Sequence, residues 1–102
     1  MFARIATFEG IDAEATDRTL DQVRQRVEPL MRGLAGYQGY LDLMDRSSGK
    51  SVTIAFFDTE ENLNAAEPTF DEEMPKQLGD LIGPWAGRRT AVERYEVMVD
   101  ER

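Results

Sequence analysis

The sequence predicts a single α+β domain over residues 1–102, with its elements in the order β-α-β-β-α-β. Runs rich in β-branched and aromatic residues occur at the start, twice in the middle and at the end of the chain. Apolar residues recur every three or four positions between these runs, which is the period of a helix. A four-stranded antiparallel sheet with both helical regions on one face, the ferredoxin-like sandwich, is the simplest closed arrangement of this order.

The first strand and the first helix are predicted from residues 2–34. Residues 2–9, FARIATFE, alternate loosely between apolar and other side chains, as a strand does. Asp12 is a predicted N-cap, and Gly33 is expected to end the helix. Pro29 removes an amide donor and is expected to bend the helix near residues 25–28. The predicted apolar stripe of this helix consists of Leu20, Val23, Val27, Leu30 and Leu34.

A β-hairpin is predicted in the middle of the chain. Residues 37–45 and 51–58 are rich in strand formers, and the loop RSSGK between them contains a glycine. Pairing Leu43 with Val52 places the most apolar residues on one face, which we expect the helices to cover. That face contains Leu41, Leu43, Val52, Ile54 and Phe56. The other face, expected to be left open, contains Tyr40, Asp42, Met44, Thr53, Ala55 and Phe57.

The second helical region begins at Thr59, a predicted N-cap followed by two glutamates. Pro68 is expected to break this helix and Pro75 to make it irregular. A second apolar stripe follows at Phe70, Met74, Leu78 and Leu81. Residues 88–99, RRTAVERYEVMV, form the last predicted strand.

The composition excludes several kinds of chemistry. The chain has no cysteine and no histidine, which removes thiolate catalysis and the commonest metal and haem ligands. No metal site and no cofactor is predicted. A net charge of −8 would repel a phosphate backbone, so nucleic acid is not an expected partner. The sequence contains no long apolar run and no signal-peptide pattern at Met1, so no membrane association is expected and the predicted location is cytoplasmic.

The open face of the sheet predicts a homodimer. Two helices cover only one face, and a large exposed apolar patch usually marks an interface. We expect a second copy of the chain to cover it, sheet against sheet. The alternative is a monomer with a half-polar open face, which antiparallel sheets tolerate.

Three sequence patterns resemble those of a known family. GYQG enters the second strand, DRSSGK forms the hairpin, and the third strand leads into the helix start TEENL. With the closing strand VERYEVMV, the chain resembles the antibiotic biosynthesis monooxygenase-like domains of the dimeric α/β-barrel superfamily. This resemblance implies a homodimer whose two sheets form a barrel, and a small pocket between sheet and helices.

The same resemblance implies an activity and some site residues. Enzymes of the family include cofactor-independent oxygenases of phenolic compounds and haem degraders, and the latter use a histidine that this chain lacks. An asparagine near the pocket and a tryptophan recur in both groups. Asn62, Asn64 and Trp85 are therefore candidates, with Asn62 as a catalytic one. Asn62 could equally cap the helix that begins at Thr59, and Trp85 could plug the barrel end.

Arg4 is the other catalytic candidate, because a charge in the middle of an apolar strand needs a partner. It could hold an anionic ligand oxygen, or it could pair with Glu96 on a neighbouring strand. The candidate ligand-binding aromatic residues are Tyr37, Tyr40, Phe57, Trp85 and Tyr95. The tyrosines could instead pack their rings and leave the hydroxyl groups in water.

Three functions remain open from the sequence. A cofactor-independent oxygenase of small aromatic substrates predicts a pocket with polar groups that converge on it. A non-catalytic ligand-binding homodimer predicts a pocket without such groups. A structural or stress-associated homodimer predicts an interior filled by side chains.

Overall fold

The computed structural model describes residues 1–102. Its elements are β1 (Phe2–Ile11), α1 (Ala13–Arg32), β2 (Tyr37–Asp45), β3 (Lys50–Phe57), α2 (Glu60–Pro68), a π-helical turn (Thr69–Glu73), α3 (Met74–Leu78) and β4 (Ala86–Glu96). The strands form one antiparallel sheet in the order β2-β3-β1-β4. This confirms the predicted α+β, ferredoxin-like β-α-β-β-α-β fold.

Helix α1 begins as the sequence predicts and continues through its proline. The Asp12 carboxylate accepts hydrogen bonds from the backbone amides of Glu14 and Ala15. The helix passes Pro29 and is capped at Gly33. Its two buried residues, Ala15 and Met31, lie outside the predicted stripe.

None of the helices is both long enough and apolar enough to cross a lipid bilayer.

The second helical region is not broken at Pro68, contrary to the sequence-based expectation. Helix α2 ends there, but the chain stays helical through the π-helical turn into α3. The Met74 amide donates to the Thr69 carbonyl five residues earlier, which is the π pattern. Pro68 and Pro75 have no amide hydrogen to donate four residues back, so the helix widens between them. The wide turn carries Phe70 and Asp71.

The hairpin register is as predicted, but the assignment of its two faces is wrong. Leu41 lies opposite Ile54 and Leu43 opposite Val52. The helices cover the other face, where Phe57 is fully buried against Leu63 of α2. Register determines which residues share a face, whereas the handedness of the chain connections determines which face the helices cover.

The sheet therefore has two contrasting faces, named here the helix-side face and the open face. The helix-side face carries Arg4, Ala6, Phe8, Tyr40, Asp42, Met44, Ser51, Thr53, Ala55 and Phe57. The open face carries Ala3, Ile5, Leu41, Leu43, Val52, Ile54, Phe56 and Tyr95. On the open face Leu41 is 38% exposed, Leu43 50% and Tyr95 52%.

Candidate functional site

A cavity of about 490 Å³ lies between α1, the π-helical turn with α3, and the helix-side face. Its volume is within the range of small-molecule sites and far above that of a packing defect. The wall contributed by α1 is mainly apolar and also includes Thr16, Thr19 and Arg24. The apolar residues of that wall are Leu20, Val23, Val27 and Met31.

Arg4 lies in the middle of β1 and lines the cavity while being only 4% exposed. Its Nε donates to Glu67 Oε1 at 3.0 Å, and its guanidinium carbon lies 4.2 Å from the centre of the Phe70 ring. Glu96, the partner considered from the sequence, lies opposite Phe2 instead. The ion-pair partner of Arg4 therefore comes from α2 and not from a neighbouring strand.

One donor of Arg4 has no acceptor. Its Nη2 is buried and makes no hydrogen bond, and Asp71 Oδ1 lies 3.8 Å away. That oxygen already accepts from Arg89 Nη1 at 2.8 Å, a hydrogen bond that lowers the pKa of Asp71. Glu67 is likewise shared with Arg94, at 2.9 Å. Three arginines thus share two carboxylates beside the cavity, and an anionic ligand oxygen would satisfy the donor left over.

Asp42 is a cavity residue that the sequence analysis did not select. Its Oδ1 accepts hydrogen bonds from the Ser51 and Thr53 hydroxyl groups, both at 3.3 Å. No arginine or lysine forms an ion pair with it. Although part of the residue is exposed, burial of the carboxyl raises the pKa of Asp42. The alternation of β2 had placed Asp42 on the same face as Tyr40, so assigning that face to the cavity would have identified it.

Tyr40 forms another part of the cavity wall. Its hydroxyl donates to Glu28 Oε2 at 2.7 Å, and the same oxygen accepts from Arg24 Nε at 2.7 Å. Burial, followed by the hydrogen bond to Glu28, raises the pKa of Tyr40 to about 12. Tyr40 is therefore a neutral phenol at physiological pH, held with its ring facing the cavity.

The structure brings three of the predicted site residues together at the cavity, namely Arg4, Tyr40 and Trp85. Trp85 lies at the end of the cavity where α1 begins, and its backbone carbonyl accepts from the Asp12 amide at 2.9 Å. Trp85 is half-buried, so its ring could line the cavity or close its end.

Three other predicted aromatic residues do not line the cavity. Phe57 belongs to the packed core, and Tyr37 packs edge-on against it with ring centres 6.2 Å apart. Tyr95 lies on the open face, where its hydroxyl donates to Glu93 Oε2. These positions give the three residues packing roles or a surface role.

The two asparagines also lie outside the cavity lining. The backbone amide of Asn62 donates to the Thr59 hydroxyl at 3.1 Å, and its side-chain amide donates to Asp58 at 2.8 Å. Asn64 is exposed and accepts from Arg94. Asn62 thus holds the helix start, as the capping alternative expected.

No three acidic side chains lie close enough together to hold a metal ion.

No family model matches the chain. Two uncharacterised proteins, from two strains of Mycobacterium tuberculosis, are 28% identical to it over 102 residues. The chain covers 43% of the length of these relatives, so it spans less than half of each.

Three solved structures share the fold. A monooxygenase of Streptomyces coelicolor in complex with nanaomycin D has a TM-score of 0.70 at 15% identity, over 97% of this chain and 88% of that one. SnoaB, a cofactor-independent oxygenase from Streptomyces nogalater, has a TM-score of 0.67 at 13% identity, over 98% and 95%. A dimeric ferredoxin-like protein from an uncultured marine organism has a TM-score of 0.67 at 13% identity, over 98% and 97%. At these identities the likeness establishes the fold, and it is the fold of the antibiotic biosynthesis monooxygenase-like proteins.

Proposed function

We propose that the chain is an antibiotic biosynthesis monooxygenase-like protein that binds a small phenolic aromatic compound and oxidises it without a cofactor. The observation that carries this proposal is a largely apolar cavity lined by a buried arginine, Arg4, whose Nη2 has no acceptor. A flat ring system would fill the apolar part, and its acidic oxygen would take the free donor of Arg4.

The chemistry requires the protein only to stabilise the substrate anion. A hydroxylated aromatic with an acidic CH₂ group loses a proton, and the carbanion transfers electrons to dioxygen and forms a C–O bond. The resulting hydroperoxide loses water and leaves a carbonyl, so CH₂ and O₂ become C=O and H₂O. Arg4 would hold the enolate oxygen, since a desolvated cation favours the charge that develops there. The apolar wall of α1 would keep water from the anion.

The two alternative functions fit the structure less well. A structural dimer predicted a filled interior, and the cavity contradicts that expectation. A simple binding module predicted no converging polar groups, whereas Arg4 and Asp42 both line the cavity. The similar structures include a monooxygenase holding nanaomycin D and a cofactor-independent oxygenase, and this supports the choice.

The proposed active form is a homodimer joined through the open face. Leu41, Leu43 and Tyr95 expose large side chains on the open face, the first two on one edge strand and Tyr95 on the other. Covering ~600 Å² of apolar surface per subunit at roughly 25 cal/mol per Å² gives about 15 kcal/mol, against association costs of ~4–15 kcal/mol. A second copy of the chain offers the same apolar surface in return. One protein with a similar structure is described as dimeric, which agrees with this assembly.

The oxygenase proposal is tested with a hydroxylated anthrone and an oxygen electrode. We expect the protein to accelerate oxygen uptake over the spontaneous rate and to release one equivalent of the quinone. Arg4→Met should reduce the catalysed rate at least tenfold, because one hydrogen bond to a charged group contributes about 1.5–3 kcal/mol. Glu67 stays paired with Arg94 in this variant, so the fold should persist.

Arg46→Met is the matched control, since Arg46 pairs with Asp17 on the surface, away from the cavity. Its rate should equal that of the unmodified protein. If no hydroxylated anthrone is oxidised faster than in buffer, or if both arginine variants behave alike, the oxygenase proposal is wrong.

A further inference from the structure

We propose that Asp42, with Ser51 and Thr53, forms a second polar subsite that accepts a hydroxyl group of the ligand at the far end of the cavity from Arg4. The preferred ligand then carries an acidic oxygen at one end and a hydroxyl at the other. This inference rests on the proposed binding of an aromatic ligand and specifies which aromatic compounds bind.

The sheet register sets the distance between the two subsites. Arg4 on β1 lies opposite Ala55 of β3. Asp42 on β2, two strands away from β1, lies opposite Thr53, which is two residues from Ala55 along β3. With strands ~4.8 Å apart and a rise of ~3.4 Å per residue, the two Cα atoms are about 12 Å apart. This is about the length of two or three fused aromatic rings with a polar group at each end.

The floor between the subsites is made of small side chains. Ala55 and Ala6 lie between Arg4 and Asp42 and are almost fully buried, and Thr53 lies beside them. Side chains of this size leave a shallow surface on which a planar ring can lie. The apolar residues of α1 face this floor from above.

Asp42 has hydrogen-bonding capacity left over. Both hydroxyl groups bind its Oδ1, and its Oδ2 makes no hydrogen bond within the protein. The charged groups that share the cavity are paired elsewhere: Arg24 with Glu28, and Arg89 with Asp71. Asp42 is exposed, so water can solvate this free oxygen, and a ligand hydroxyl would take the place of that water.

A hydroxyl is the ligand group that fits this subsite best. A metal ion would need several oxygen ligands, and Asp42 is the only carboxylate at this end. An organic cation would gain little, because it would give up its hydration for an ion pair with an exposed carboxylate. A neutral O–H donor meets neither objection.

The test compares two probes, 2-naphthoate and 6-hydroxy-2-naphthoate, which differ only in the hydroxyl. Dissociation constants are measured by fluorescence titration with the unmodified protein and with Asp42→Asn. We expect the hydroxyl to tighten binding about tenfold in the unmodified protein and less than twofold in Asp42→Asn. Binding of 2-naphthoate, which lacks the hydroxyl, should be no weaker in the variant.

Asp21→Asn is the control for the charge change, because Asp21 is exposed on α1 and makes no side-chain ion pair. It should retain the tenfold preference for the hydroxyl. A second substitution of the same residue, Asp42→Ser, also removes the carboxylate and should likewise lose the preference, which keeps the test decisive if Asp42→Asn misfolds.

The outcomes separate this inference from the proposed function. If 2-naphthoate binds and weakens on Arg4→Met, but the hydroxyl gives the same advantage in all variants or none, the Asp42 subsite is wrong and the Arg4 site stands. If neither naphthoate binds at millimolar concentration, aromatic binding itself fails and the inference fails with it.

Discussion

The two faces of the sheet differ in polarity: the helix-side face carries more polar side chains, and the open face is more apolar. The helix-side face, which the helices cover, carries the buried Arg4 and Ser51, the half-buried Thr53 and the exposed Asp42. The open face, which no helix covers, carries mainly leucine, isoleucine, valine and aromatic side chains. In a monomer designed only for stability, the apolar face would lie inside and the polar face outside.

The helix-side face itself has two parts, a packed core and a cavity. Toward α2 it is a packed core, formed by Phe57, Ala55 and Leu63. Under α1 it stays open as a cavity with polar groups that the core itself does not need. The apolar open face needs only a partner surface that shields it from water, and a second copy of the chain would supply one. Polar groups beside a cavity are typical of a ligand site, and exposed apolar groups are typical of an interface between chains.

The largest expected effect comes from the packed part of the helix-side face. Phe57→Ala should lower the free energy of unfolding by about 3–5 kcal/mol, because the ring is fully buried between Tyr37 and Phe70. Phe8→Ala is the matched control on the same face. Phe8 borders the cavity and already lacks neighbours on one side, so its loss should be smaller. Urea unfolding of both variants measures the difference, and equal losses would contradict the division of this face into core and cavity.

The next effect separates the two faces directly. Leu41 on the open face and Val92 on the helix side of β4 are each 38% exposed. Leu41→Asp should weaken the dimer at least a hundredfold, because it places a charge in the proposed interface, whereas Val92→Asp should not. Sedimentation equilibrium over a range of concentrations gives the dissociation constants. If the unmodified protein sediments as a single chain of 11.6 kDa at micromolar concentration, the open face is not a dimer interface.

Most of the fold could be predicted from the sequence because it depends on local patterns. The Asp12 cap, the end of α1 at Gly33 and the pairing of Leu43 with Val52 all follow from periodicity and turn chemistry. The assignment of faces failed because hydropathy does not distinguish a core from an interface between copies. Choosing the more apolar face as the core placed Phe57 outside.

The candidate site was predicted less completely, for a related reason. Arg4 was noticed because a charge in an apolar strand is locally anomalous. Its partner Glu67 and the unpaired Nη2 depend on how α2 docks, and no local pattern contains that information. Asp42 was overlooked because an aspartate in an alternating strand looks like an ordinary solvent-facing residue until its face is known to lie under α1.

A smaller effect concerns Tyr40 at the edge of the cavity. Tyr40→Phe removes its hydrogen bond to Glu28 and should cost about 1 kcal/mol, because Glu28 remains bound by Arg24. An ultraviolet titration of the unmodified protein should show one tyrosine that ionises near pH 12, as burial and Glu28 require. That step should be missing in Tyr40→Phe. If the high step persists in the variant, the buried phenol is another tyrosine.

The smallest expected effect, which carries the most information, concerns the charge of Asp42. Burial raises the pKa of Asp42, so the folded protein holds this proton more tightly than the unfolded chain does. Its contribution to stability therefore falls as the pH rises from the ordinary aspartate value of 3.8 through the raised pKa, and it stays low at neutral pH. Asp42→Asn should be more stable than the unmodified protein at neutral pH, and the difference should vanish below pH 3.8.

Asp17 provides the opposite case for the same substitution. The hydrogen bond from Arg46 lowers the pKa of Asp17, so its contribution is present above the ordinary value and is lost as the pH falls through the lowered pKa. Asp17→Asn should therefore be less stable at neutral pH and equal at low pH. Melting temperatures of both variants across this range give the two signs. If Asp42→Asn instead loses stability at neutral pH, the carboxylate supports the sheet itself, and the polar groups under α1 no longer distinguish a ligand site from a core.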